Sequence, residues 1–100
     1  MKKHTRNYLN AYYPNFGLDD FFFCEACLIK LGFSNRMVDV HHIDNKGMGG
    51  SKLKDDPAKS IGCCRYHHDI FHGLIKGEKI SKDEQREIHQ QFTKWQLGND

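Results

Sequence analysis

The spacing of cysteine and histidine limits the folds open to this chain more than any other feature. All four cysteines and five of the seven histidines fall in three short stretches. These are Cys24-Glu25-Ala26-Cys27, Asp39-Val40-His41-His42-Ile43, and the run from Cys63 and Cys64 through His67 and His68 to His72. Packing alone does not call for such a concentration of thiols and imidazoles in a small hydrophilic chain, but metal ligation does. The pattern predicts two centres, one that holds the fold together and one that does chemistry.

Composition fits that reading. One hundred residues suit a single domain with a modest core, and the hydrophobic fraction is only 38%, with a mean hydropathy of −0.74. A structural ion would supplement so thin a core. No apolar run approaches the roughly 18 residues that cross a bilayer. The basic start, Met1 to Arg6, is followed by no signal-peptide segment. A cytoplasmic protein is expected, and in a reducing compartment Cys-x-x-Cys with nearby histidine favours zinc over disulfides. The net charge of +2 permits a nucleic-acid partner without requiring one, so phosphate contacts must come from a local cluster.

In chain order, residues 1–20 read as an N-terminal arm or helix. Tyr8, Leu9, Tyr12 and Tyr13 share one face before Pro14; they either pack on the core or lie along DNA beside Lys2, Lys3 and Arg6. Phe21-Phe22-Phe23 reads as core. Residues 37–43 and 60–64 read as strands, joined by a loop whose three glycines and three lysines, Lys46, Lys52 and Lys54, suit phosphate. Residues 67–75 read as a helix with Ile70, Phe71, Leu74 and Ile75 on its apolar side and Gly77 near its end. Ser81 to Glu84 is a capping box that opens a C-terminal helix over 80–97, with Ile88, Phe92 and Trp95 inward. His89 falls beside that stripe, at the surface or its boundary.

The structural centre takes Cys24 and Cys27, then Cys64 and His67 with the same two-residue gap, a closed Cys3His set for zinc. Cys63 is the alternative to Cys64, although its three-residue gap to His67 fits less well. The second centre takes His68 and His72, four apart on one helical face, with His41 joining from the strand. Three imidazoles leave a coordination position open, as a working ion needs. His42 is then left beside the ion to act as general base near neutral pH. Neighbouring residues of a regular strand face opposite ways, so both histidines serve one site only where the strand ends. Otherwise one of them is a buried, hydrogen-bonded histidine.

The ordered set Cys-x-x-Cys, Asp-Val-His-His-Ile, Gly-rich loop, then Cys and His ahead of His68 and His72, resembles the HNH endonuclease family. It is most similar to the small HNH proteins of phages and prophages, over residues 21–76. The resemblance implies a small α+β fold: a ββα-metal, treble-clef-like core braced by a structural zinc. It also implies that His41 is the first metal ligand, His42 the general base, His68 the last histidine of the signature and His72 a further helix ligand. Cys24, Cys27, Cys64 and His67 match the bracing zinc ligands. The family's middle Asn is replaced by Lys59, which suggests ligation by three histidines and leaves Lys59 as a candidate phosphate contact. The implied activity is one-metal hydrolysis of DNA to 5′-phosphate and 3′-hydroxyl ends with Mg²⁺, Mn²⁺, Ni²⁺ or Zn²⁺. A zinc-stabilised module that binds DNA or a protein without catalysis accounts for the four-ligand centre equally well, but not for the extra histidines.

Overall fold

The computed structural model describes residues 3–17, 20–43 and 57–98. The described elements are helix α1 (Lys3–Tyr12), a π-type helical turn α2 (Cys27–Leu31), strands β1 (Asp39–His42) and β2 (Ser60–Cys63), and helices α3 (Arg65–Phe71) and α4 (Lys82–Gln96). A 3₁₀ turn, Pro57–Lys59, leads into β2. This is a small α+β arrangement around one two-stranded antiparallel sheet. Its register pairs Asp39 with Cys63, Val40 with Gly62, His41 with Ile61 and His42 with Ser60.

The first helix packs on the core. Tyr8, Leu9 and Tyr12 are buried against Val40 and Phe92, so neither Tyr8 nor Tyr12 is presented to solvent as an arm along DNA would require. The run at 21–23 is less interior than expected: Phe21 is exposed, with the Arg36 guanidinium 4.9 Å from its ring centre, while Phe22 and Phe23 are half-buried. Phe23 reaches the edge of Trp95, which is itself half out of the core.

The third helix stops one turn earlier than the sequence pattern predicts. Gly73, at φ 72°, supplies the left-handed residue, and the amides of Gly73 and Leu74 return to the carbonyls of Ile70 and Asp69. This is a Schellman ending. It leaves Leu74 72% exposed, so the apolar side of α3 is Ile70 and Phe71 alone. Gly73, not Gly77, ends the helix.

The capping side chain at α4 is the expected one: Ser81 Oγ accepts from the Glu84 amide at 3.1 Å. The Glu84 carboxylate turns to Lys30 instead of back to the cap, tying α4 to α2. The inner face is Gln85, Ile88, His89 and Phe92, the i, i+3, i+4, i+7 positions of one stripe. His89 is therefore interior, 4% exposed, and not the boundary residue expected from the sequence.

A polar network explains its burial. Glu25, fully buried between the two knuckle cysteines, accepts from Tyr8 Oη and from the Gly62 amide. His89 Nδ1 lies 2.9 Å from Glu25 Oε1, and its Nε2 lies 2.9 Å from Tyr12 Oη. The assignment that satisfies every group has Nδ1–H donating to Glu25 and Nε2 accepting from Tyr12. Burial and the neighbouring Glu25 together push the Tyr8 hydroxyl well above its ordinary pKa, so Tyr8 stays a donor. A buried carboxyl is tolerated only when bonded in this way. Among the described residues no helix is long and apolar enough to cross a membrane.

Gly62 is where this network meets the sheet. A Cβ there would lie 2.5 Å from Met37 Sδ and 2.8 Å from Tyr8 Oη. Met37 can swing away, but Tyr8 is held by Glu25. Gly62→Ala should therefore destabilise the protein by about 1–3 kcal/mol in urea unfolding at unchanged m-value.

Candidate metal centres

Two groups of ligating side chains come together. In the first, the donor atoms of Cys24, Cys27, Cys64 and His67 all lie within 4.8 Å of one another, and all four residues are buried. The first pair comes from the turn into α2 and the second from the start of α3, one helical turn apart. Cys27 Sγ is 3.8 Å from Cys64 Sγ. His67 Nδ1 is 3.5 Å from Cys24 Sγ and 3.4 Å from both Cys27 Sγ and Cys64 Sγ. A tetrahedral zinc with ordinary bond lengths separates two sulfurs by about 3.8 Å and a sulfur from a nitrogen by about 3.5 Å. The four donors thus already stand near the corners that the ion requires.

The surroundings suit the same ion. Cys24 Sγ accepts from the Cys27 amide and Cys27 Sγ from Asn35 Nδ2, each at 3.5 Å, which disperses thiolate charge. Burial raises the thiol pKa of Cys24 and of Cys27, so without a cation the sulfurs keep their protons. Burial, with a lesser contribution from Lys30, lowers the His67 pKa and keeps its ring neutral. A divalent ion would displace the thiol protons, and its binding would become part of the folding energy. The set fits a structural metal such as zinc. Cys63 is not part of the set: it is fully buried on β2, with Sγ 3.6 Å from the Asp39 carbonyl.

In the second group, the donor atoms of His41, His68 and His72 lie within 4.8 Å of one another. His68 Nε2 and His72 Nε2 are 3.1 Å apart, because His72 caps α3 one turn after His68. His41 faces them across the sheet, with ring centres 5.8 Å from His68 and 4.8 Å from His72. Burial is the main cause of a His41 pKa lowered to about 4, and the neighbouring His72, His68 and His42 add to it. The His68 pKa is lowered too, by burial and then by His72. With their pKa values lowered, the His41 and His68 rings present lone pairs, which is what a cation needs. Asp39 Oδ2, 3.8 Å from His68 Nε2, adds negative charge at the edge.

His41 and His42 turn to opposite sides of β1, the first towards α3 and the second towards α1. Both nevertheless line one cleft of about 280 Å³ together with His68, His72 and Asp39. The end of the strand makes this possible, since β1 stops at His42. His4 was not foreseen there. It lines the same cleft, its ring centre is 4.3 Å from that of His42, and its Nε2 lies 3.0 Å from the Val40 carbonyl. The spacing of His4, Tyr8 and Tyr12 on one helical face was the available signal.

The lysines expected to meet phosphate divide differently. Lys46, Lys52 and Lys54 lie outside the described residues. Lys59 lines a separate cleft with Ile43, Arg86 and His89, which holds none of the three clustered imidazoles. A larger cleft of about 540 Å³, between Tyr13, Phe21 and Leu97, holds no histidine or cysteine. Comparison with protein-family models, curated proteins and solved structures finds no match for this chain.

Cys64 and Cys63 can be separated experimentally. Cys64→Ser should lose tightly held zinc, measured as metal content after dialysis against a weak chelator, and should unfold more easily. Cys63→Ser should keep one equivalent.

Proposed function

We propose that the chain is a metal-dependent DNA endonuclease of the HNH type, built on a treble-clef-like ββα-metal core. The observation that carries this reading is the convergence of His41 with His68 and His72, three imidazoles from two separate elements, on one point beside an open cleft. A purely structural zinc module has no use for that second group. The Cys3His set braces the core, and α3 and the end of β1 present the imidazoles.

His41, His68 and His72 would hold the catalytic ion. Held there, such an ion would supply positive charge that stabilises the negative charge developing on the phosphate during hydrolysis. Imidazole ligands suit Mn²⁺, Ni²⁺ or Zn²⁺ better than Mg²⁺. His42 takes a proton from the attacking water as its oxygen bonds to phosphorus. The bond from phosphorus to the 3′-oxygen breaks, and that oxygen recovers a proton from solvent. His4 packs against the His42 ring and restricts its rotation. Lys59 stands where the family has its Asn, and its backbone carbonyl accepts from the Ile43 amide at 2.9 Å. The backbone thereby anchors the residue after His42 without an Asn side chain.

General-base assistance contributes typically 10²–10⁴-fold. His42→Ala should slow nicking of supercoiled plasmid by about that factor in Mn²⁺ or Ni²⁺, with the tightly bound zinc and the melting temperature unchanged. A non-catalytic zinc module predicts no metal-dependent nicking by either protein.

A further inference from the structure

The imidazole group is open on a second side. His41, His42 and His72 also line a cleft of about 370 Å³ whose far wall is the start of α4: Lys79, Ser81 and Lys82. This second cleft and the first share those three histidines, so a strand crossing the imidazole group passes from one into the other.

The wall has a distinct electrostatic character. Lys79 and Lys82 are exposed, and neither has an ion-pair partner among the described residues. Elsewhere Lys30 pairs with Glu84, Arg86 with Asp83, and Arg65 stands opposite Asp69. The acids of the first turn of α4 thus pair with those partners and not with Lys79 or Lys82. The helix N-terminus adds its own partial positive charge on the same side. Gln85, 2% exposed, also lines the cleft. Its Nε2 donates to the Ile80 carbonyl at 3.1 Å, while its Oε1 has no partner among the described residues.

We propose that this wall is a phosphate-binding subsite for the nucleic-acid backbone, with Lys79 and Lys82 each neutralising a phosphate that flanks the one at the imidazole group. The ligand class is duplex DNA read through its backbone. Such contacts fix the position of the strand without choosing a sequence. The inference rests on the phosphodiester reading of the imidazole group and adds anion contacts at the start of α4 to those expected in the loop after β1.

Each phosphate neutralised changes the slope of log affinity against log salt concentration by about 0.9. The test is fluorescence anisotropy of a labelled 30-base-pair duplex, titrated with zinc-loaded His42→Ala protein at several salt concentrations. Lys79→Ala and Lys82→Ala, each added to that protein, should reduce the slope by about 0.9, with the affinity loss greatest at low salt. Lys94→Ala removes the same charge from the far end of α4 and should leave the slope unchanged. Unchanged slopes in both cleft variants, with the duplex still bound, overturn the subsite but leave the nuclease reading standing. Equal losses in all three variants also overturn it, since net charge alone would then explain them. Absence of duplex binding by the His42→Ala protein, together with absence of plasmid nicking by the wild-type protein in Mn²⁺ or Ni²⁺, overturns both.

Discussion

The rest of the structure depends on the gathering of three thiols and one imidazole from residues 24–27 and 64–67. These donors belong to two turns far apart in the chain. Bringing them to one point fixes where α3 leaves the sheet. Successive residues of a helix point about 100° apart. With His67 turned inward to the sulfurs, His68 is necessarily turned aside towards β1, and His72 follows on the same face one turn later. The imidazole group thus takes its geometry from the sulfur group. A chain with a thin core obtains in this way a rigid mount for the three imidazoles, which packing alone would supply poorly at this size.

The Glu25 network is the second constraint. It ties three further parts of the molecule to the Cys24–Cys27 turn: α1 through Tyr8 and Tyr12, β2 through the Gly62 amide, and α4 through His89. Its members satisfy one another's hydrogen bonds inside the protein, where an unpaired partner would be expensive. Docking α1 by this route also delivers His4 to the cleft, so a helix that supplies no donor to the sulfur group still shapes the ring environment of His42.

Much of this was legible from residue spacing. Cys-x-x-Cys and Cys64-x-x-His67 carry their meaning in the two-residue gap, and His68 with His72 in the four-residue gap, because helix geometry converts those gaps directly into shared faces. The capping serine of α4 announces itself in the same local way. What escaped was set by tertiary context. His89 and Gln85 occupy inner positions of α4, but a search for apolar residues passes over both, since it is Glu25 and Tyr12 that make burial of His89 favourable. The end of α3 was misplaced because Gly73 and Gly77 are equally good candidates in sequence. Only the exposed setting of Leu74, which offers that side chain no core, decides for Gly73. The basic wall at Lys79 and Lys82 could not be inferred locally, since nothing in residues 79–82 says which face of the fold lies opposite.

The central claim is that the two donor groups hold two separate ions. Anomalous diffraction from crystals of zinc-loaded protein soaked in Mn²⁺, with data at the absorption edges of both metals, tests it most directly. The account predicts a zinc peak bonded to Cys24, Cys27, Cys64 and His67 and a manganese peak bonded to His41, His68 and His72. A zinc peak alone, or manganese bound to carboxylates elsewhere while the three imidazoles stay unliganded, would contradict it.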